Sequence, residues 1–486
     1  MNKDIKIKSV KYNFAMNIIL KMSSFIFPLI TLPYITRTLG AVGNGKIAFA
    51  SSVITYFSMF AQLGIPTYGI RVCAKCRDDK AELTKTVQEL LVINGVAVIL
   101  SYLALGFSII GILKFQENST LMLINSVSIL LNAIGMEWLY QAIEQYQYIT
   151  IRNLVFKIIS IVLMFWLIHK PEDYIKYAIL IVISAGGSYI LNLINCRNFL
   201  EHRLYIGKYK FRKHLKPIFT FFALSVSISI YTSMDTVMLG FFSGDEQVAF
   251  YALSTKIKMV LATTISALGP VLLPRIVYCI NNGQREKFKS YIEKSLHFVT
   301  LIAIPVTIYF VVMAPTVVDI LGGEAYISAT LCMQIITITI IPLGIGNVAC
   351  SQILTPMGKE KYTMYSTVCG AIINFALNIV LIPRFGAAGA AIATVFAEAI
   401  IACIQIYYVR SEVRTIILHL PYMKFLTANA TGIVCLILFT KYVSIGNSLV
   451  EMVVTCCLFF GIYMTVMITL GDELLQKYII QLFYKK

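Results

Sequence analysis

Residues 228–240 read ISIYTSMDTVMLG, the second half of an apolar run long enough to form a membrane-spanning helix, interrupted by a single carboxylate at Asp235. About twenty apolar residues cross roughly 30 Å of hydrocarbon as α-helix. A carboxylate inside such a run is costly unless it faces the bundle interior, a partner or water. The reading of Asp235 therefore depends on whether this run has companions. It is one of about fourteen, near 13–36, 47–66, 87–113, 120–140, 147–168, 174–196, 217–240, 248–273, 295–320, 325–350, 363–383, 387–409, 425–441 and 449–470. Composition agrees: 58% of the 486 residues are hydrophobic and 13% charged, with mean hydropathy +0.78, far from the soluble norm. The expected fold class is an all-α polytopic membrane protein, with no room for a soluble domain between spans.

Lysine and arginine favour cytoplasmic loops. With the N-terminus inside, roughly thirty of the 41 basic residues fall in cytoplasmic segments, which predicts both termini cytoplasmic. Lys3, Lys6, Lys8 and Lys11 precede the first run like a signal peptide's basic region. That run is too long and lacks a clear small-residue cleavage site, so it reads as a retained helix. The most basic connection, CRNFLEHRLYIGKYKFRKHLKP (196–217), carries Arg197, Arg203, Lys208, Lys210, Arg212, Lys213 and Lys216. The net charge of +17 is mostly topology and contact with anionic lipid. Basic residues scattered over many short loops do not form a nucleic-acid surface, and no nucleic-acid partner is expected.

The same connection separates two similar halves. TLGAVGNGKIAFA (38–50) is echoed by MLGFFSGDEQVAFYA (238–252), matching Leu39-Gly40 with Leu239-Gly240 and Ala48-Phe49 with Ala249-Phe250 across one inserted residue. The expected organisation is an N-terminal lobe of six spans (1–200), a basic inter-lobe loop (201–216), a second six-span lobe (217–410), and two further spans with a cytoplasmic tail (411–486). Repeated bundles commonly leave a substrate cavity near the bilayer midplane. Pro28 and Pro33 in the first span, and Pro270, Pro274, Pro305, Pro315 and Pro342 later, mark expected kinks.

Sites for bound chemistry are not apparent. The five histidines have no zinc-ligand spacing, no phosphate-binding loop is present, and Cys73 and Cys76 form a lone CxxC in a cytoplasmic loop. No cofactor, metal or catalytic group is expected. The embedded charges are the site candidates. Asp235 lies roughly 8 Å from the outer end of its span, and Lys256 roughly 12 Å deep in the next. The two can pair structurally, or Asp235 can act directly in transport. Lys258 is about 200° further round the helix, so at most one of the two lysines faces a cavity squarely. Lys21 either reaches back to the inner headgroups or, with Arg37 and Lys256, lines a cationic cavity suited to an anion. Glu398 is a cation-coupling site or a basic residue's partner. Glu137 sits where interfacial belts occur, beside Trp138 and Tyr140.

PYITRTLGAVGNGKIAF, GMEWLYQAIEQYQYI, YTSMDTVMLG, FYALSTKI and LIPRFGAAGAAIATVFAE together, in this order and spacing, resemble the bacterial polysaccharide flippases. These belong to the multidrug, oligosaccharidyl-lipid and polysaccharide exporter superfamily. The resemblance spans essentially the whole chain and implies a cargo: an undecaprenyl-pyrophosphate-linked oligosaccharide, for O-antigen or capsule, turned from the inner to the outer leaflet of the plasma membrane. It implies a cationic central cavity corresponding to Lys21, Arg37 and Lys256, with Asp235 matching the aspartate common in that span-seven motif. A polysaccharide polymerase outside and the membrane lipids are the implied partners. Two rivals share the superfamily, a multidrug exporter, which would favour an acidic cavity, and a cell-wall lipid-precursor flippase. From another class, a membrane polymerase or ligase would usually carry a substantial external catalytic loop, whereas the connection after span seven is only FFSGDEQ.

Overall fold

The computed structural model describes residues 8–201, 208–443, 445–472 and 475–476. Lys3, Lys6 and Arg203 of the basic segments, and residues 477–486 of the expected tail, lie outside them. Every regular element among the described residues is helical, and eleven helical stretches are long and apolar enough to cross a membrane. Helix suits this setting because it satisfies its own backbone donors and acceptors where no water can. The chain forms two compact units, residues 1–249 and 250–486.

In the first unit, α1 (Val10–Gln62) contains two of the expected runs and is broken at Gly40, where φ is 67° and ψ −176°. A side chain is disfavoured at that positive φ. Asn44 Nδ2 closes the turn by donating to the carbonyls of Gly40 (2.8 Å) and Ile35 (3.3 Å). Pro28 and Pro33 both lie within α1. Nearby, Thr31 and Thr36 hydroxyls donate to carbonyls one turn back, at Phe27 and Leu32, the kind of local compensation proline requires in a membrane helix. After α2 (Ile65–Lys75) and α3 (Lys80–Gly111) come the short α4 (Leu113–Glu117), α5 (Ser119–Gly135) and α6 (Glu137–Ala142). Then follow α7 (Tyr146–Leu167), α8 (Tyr174–Val182), a π-helical turn at Ile183–Gly187, α9 (Tyr189–Asn195) and α10 (Arg212–Phe242).

Helix α1 is the hub, packing on α3, α5, α7 and α10. Although the sequence repeat groups α10 with the second half, it packs here on α1 and α2. Two glycines allow that approach: a Cβ at Gly64 would overlap the Phe221–Phe222 backbone and one at Gly240 the Phe49 ring, while a Cβ at Gly45 would overlap the carbonyl of Asp245, just beyond the end of α10. Lys114 reinforces the same corner, 3.0 Å from Asp245 Oδ1. On the outside, Val96, Ile99, Leu103 and Phe107 of α3 are exposed, the surface a helix offers to lipid.

The second unit holds most of α11 (Asp245–Ser266), then α12 (Leu268–Asn281), α13 (Arg285–Val312), α14 (Ala314–Gly322), α15 (Ala329–Thr337) and α16 (Ile340–Asn347). A π-helical segment, Val348–Leu354, precedes α17 (Glu360–Leu418), α18 (Tyr422–Tyr442) and α19 (Ser448–Thr469). Like α1, α17 contains two expected runs and breaks at a glycine, Gly386. Its core joins Ile265, Phe288, Ile292, Leu296, Val299, Ile340, Ile353 and Val409. Helix α19 is fixed to α13 by Tyr463 Oη donating to the Leu301 carbonyl (3.0 Å) and Tyr309 Oη donating to that of Met452 (2.8 Å). Beyond the end of α19, Asp472 meets His297 at 2.9 Å. Burial alone would raise the Asp472 carboxyl, but this contact, the Leu475 N–H and nearby Lys424 hold it below the usual carboxylate range.

If the close approach of α1 to the backbone of Asp245, at the start of α11, helps to build the first unit, Gly45→Ala should destabilise it by about 1–3 kcal/mol, since a backbone carbonyl cannot move aside as a side chain does. Fluorescence-detected size-exclusion of a tagged protein should show loss of the monodisperse peak. Gly95→Ala, where an added Cβ meets nothing, should leave the peak intact.

Candidate functional site

Between helices of the first unit lies a cavity of about 520 Å³. Its wall on α1 is Ser51, Thr55, Ser58 and Gln62, spaced at three and four residues so that they share a helical face. Helix α5 adds Asn125, Ser128 and Asn132 by the same spacing, and α10 adds Ser225 and Ser229. Among the described residues, none lining the cavity is ionisable. The polar groups are arranged by one another. Ser58 Oγ accepts from Gln62 Nε2 (3.0 Å) and Asn132 Nδ2 (3.3 Å), while Ser51 Oγ donates to Asn125 Oδ1 (3.1 Å). One hydroxyl thus fixes two carboxamides by their N–H groups. Each amide keeps a carbonyl with two lone pairs, so the wall offers alternating donors and acceptors without charge.

The embedded charges are distributed differently. Lys21 and Arg37 on α1 and Lys256 on α11 have exposed side chains, whereas Asp235 on α10 is buried at 5% exposure. Glu398 is also buried and faces Lys258, with Nζ 3.9 Å from Oε1. Lys258 therefore points to α17 while Lys256 lies about 200° away round the helix. Asp235 and Lys256 belong to different units.

Several ionic contacts were not anticipated from the sequence. Lys157 Nζ donates to Ser23 Oγ (2.9 Å) and Ser24 Oγ (3.1 Å) across α7 and α1. Glu137, expected merely at an interface, has a partner: Arg152 lies 3.6 Å away, buried between the Tyr148 and Tyr189 rings. Glu89 is fully buried and accepts from the Lys210 backbone N–H (2.6 Å), with Lys213 Nζ at 3.1 Å and His214 Nε2 at 2.7 Å. That carboxylate ties the start of α10 to α3. The only sequence signal for it was an acidic residue near the end of an apolar run, facing a basic loop distant in the chain.

A family model described as a polysaccharide biosynthesis protein matches residues 10–279. The chain belongs to that family. The MatE model also matches, over residues 221–380. A putative O-antigen transporter of Shigella dysenteriae is 23% identical over 408 residues, covering 82% of this chain and 100% of the relative. One from Escherichia coli (strain K12) is 22% identical over 409 residues, covering 83% and 97%. Among solved structures, the lipid II flippase MurJ in an inward closed conformation matches with TM-score 0.74 at 14% identity, over 93% of this chain and 98% of that one. That likeness is one of fold. The chain is a multi-pass protein of the bacterial inner membrane and a polysaccharide flippase of the exporter superfamily.

Within this family member, the Lys258–Glu398 pair can be tested by charge removal. Lys258→Met alone should cost about 3 kcal/mol, the low end for a buried pair given the 3.9 Å separation. Lys258→Met with Glu398→Gln should recover most of it, because no uncompensated charge remains. Melting temperatures of the purified proteins check this; equal melting of single and double variants would remove the pair from the structural account.

Proposed function

We propose that the protein carries an undecaprenyl-pyrophosphate-linked oligosaccharide repeat unit from the inner to the outer leaflet by alternating access, supplying surface polysaccharide biosynthesis. The observation that carries this reading is the uncharged cavity of about 520 Å³ lined by hydroxyls and carboxamides inside a membrane-spanning bundle. Such a wall offers an organic cation no countercharge, yet suits a neutral polyhydroxylated head that must replace its hydrogen bonds to water before crossing. The amide orientations fixed by Ser58 reduce the ordering cost of binding.

The charged part of the cargo needs different groups. Lys21, Arg37 and Lys256 are the proposed contacts for the pyrophosphate, whose oxygens favour charge-assisted hydrogen bonds from ammonium and guanidinium. Asp235 is the proposed counter-ion of Lys256. For Glu398, the proximity of Lys258 supports a role as structural partner over one as coupling carboxylate. The lipid tail would stay in the bilayer while the head passes inside, and no nucleotide or cofactor takes part in this scheme. A polymerase acting on the outer leaflet would draw the flux outward by consuming the cargo.

The test is complementation of a strain lacking its own flippase, with surface polysaccharide and cell-associated protein quantified together. Wild type should restore the polymer. Replacing Gln62 and Asn132 jointly by leucine should reduce it about tenfold or more at unchanged protein level, as should Lys256→Gln, since each removes contacts worth more than about 1.4 kcal/mol. Restored drug resistance without restored polymer would overturn the reading in favour of an exporter.

A further inference from the structure

A second cavity, of about 340 Å³, lies between α2 and α10 and is lined by Tyr68, Arg71, Val72, Lys75, Pro217 and Phe221. Its chemistry differs from that of the polar chamber: one face of α2 brings Tyr68, Val72 and two cations, and α10 brings the apolar Pro217 and Phe221. Arg71 and Lys75 stand one helical turn apart on the same face, where like charges repel unless an anion bridges them. Both are exposed, and among the described residues neither makes an ion pair, although neighbouring Arg77 is bound to Glu144 at 2.7 Å.

The aromatic side is held in place from behind. Tyr68 Oη lies 2.8 Å from His214 Nδ1, and His214 Nε2 lies 2.7 Å from the buried Glu89. With Glu89 accepting from Nε2–H, Nδ1 is left to accept the Tyr68 proton. The Tyr68 ring therefore stays beside Phe221, at 6.4 Å between centroids. Both elements leave for solvent at this end, where the basic-loop bias of the sequence assigns the cytoplasmic face.

We propose that this cleft is the docking point for the polyanionic head of a prenyl pyrophosphate, with Arg71 and Lys75 bridging the phosphates and Tyr68 and Phe221 covering the first isoprene units. The proposal rests on the flippase reading and adds to it a place where cargo is first held. Two adjacent cations with no ion pair among the described residues complement a multiply charged head better than the single charge of a common phospholipid. The aromatic wall gives no reason for a free inorganic anion to settle there.

Full-length protein in zwitterionic nanodiscs, with farnesyl pyrophosphate as probe and thermophoresis as readout, tests it. Arg71→Gln with Lys75→Gln should weaken binding about tenfold to a hundredfold, the loss of two charge-assisted contacts, while Arg71→Lys with Lys75→Arg keeps most of it. Phe221→Ala should weaken farnesyl pyrophosphate but leave the feebler binding of inorganic pyrophosphate unchanged. Should the double glutamine variant fail to fold by size-exclusion, Lys75→Gln alone, at the exposed end of α2, gives the same reading. Unchanged affinity in the glutamine variants overturns the proposal. So does displacement of the probe by an equal concentration of phosphatidylglycerol, or inorganic pyrophosphate binding as tightly as the prenyl compound. If these occur while wild type still restores surface polymer, only the cleft is lost; failure of wild type to restore polymer removes the flippase reading itself.

Discussion

The first unit depends on how closely the backbones of α1 and α10 approach. In hydrocarbon there is no general hydrophobic force between helices, so association rests on van der Waals fit and hydrogen bonds, and small residues at the contact decide how much of either is gained. Gly64, just past the end of α1, and Gly240 of α10 supply that fit, each lying where a Cβ would collide with backbone or an aromatic ring, and Gly45 does the same against Asp245 just beyond α10. The approach has a direct functional consequence. It brings Ser225 and Ser229 of α10 to the same cavity as Ser58 and Gln62 of α1, so the glycine contacts and the polar chamber are one construction.

Charge is handled by separation. Carboxylates within the bundles are enclosed with their partners: Glu398 beside Lys258, Glu137 beside Arg152, Glu89 among Lys210, Lys213 and His214. Enclosed pairs of this kind tend to fix geometry more than they add stability, because desolvation consumes much of the Coulombic gain. Several cations, by contrast, have exposed side chains, among them Lys21, Arg71 and Lys75. Positive charge is thus exposed away from the chamber, whose described lining carries none. The cargo proposed above, neutral and hydroxylated at one end and polyanionic where it joins its lipid, would use that division of labour.

Much of this was legible along the chain. Fourteen apolar runs, two related halves and scattered basic loops led to a multi-pass helical protein resembling the polysaccharide flippases, and the family match and MurJ-like fold agree. The turns were visible as well, in that the two longest helices break at Gly40 and Gly386, inside motifs already notable for glycine. Asp235 was conspicuous as a carboxylate in hydrocarbon, and its burial follows from the cost of placing it anywhere else.

What the sequence by itself determined, then, was each property expressed within about twenty consecutive residues: apolar length, charge at the ends, glycine at a turn. Tertiary structure alone decided which lysine faces Glu398, since Lys256 and Lys258 differ only by rotation about a helix. It also decided the chamber. Ser58, Asn132 and Ser225 come from stretches far apart in the chain, and serine, threonine and asparagine are ordinary residues in membrane helices, so none of them stands out until three helices bring their polar faces together. Solvation energy is a local property that hydropathy records, whereas a binding wall exists only where distant side chains meet, and that meeting is governed by the packing of small residues against their neighbours.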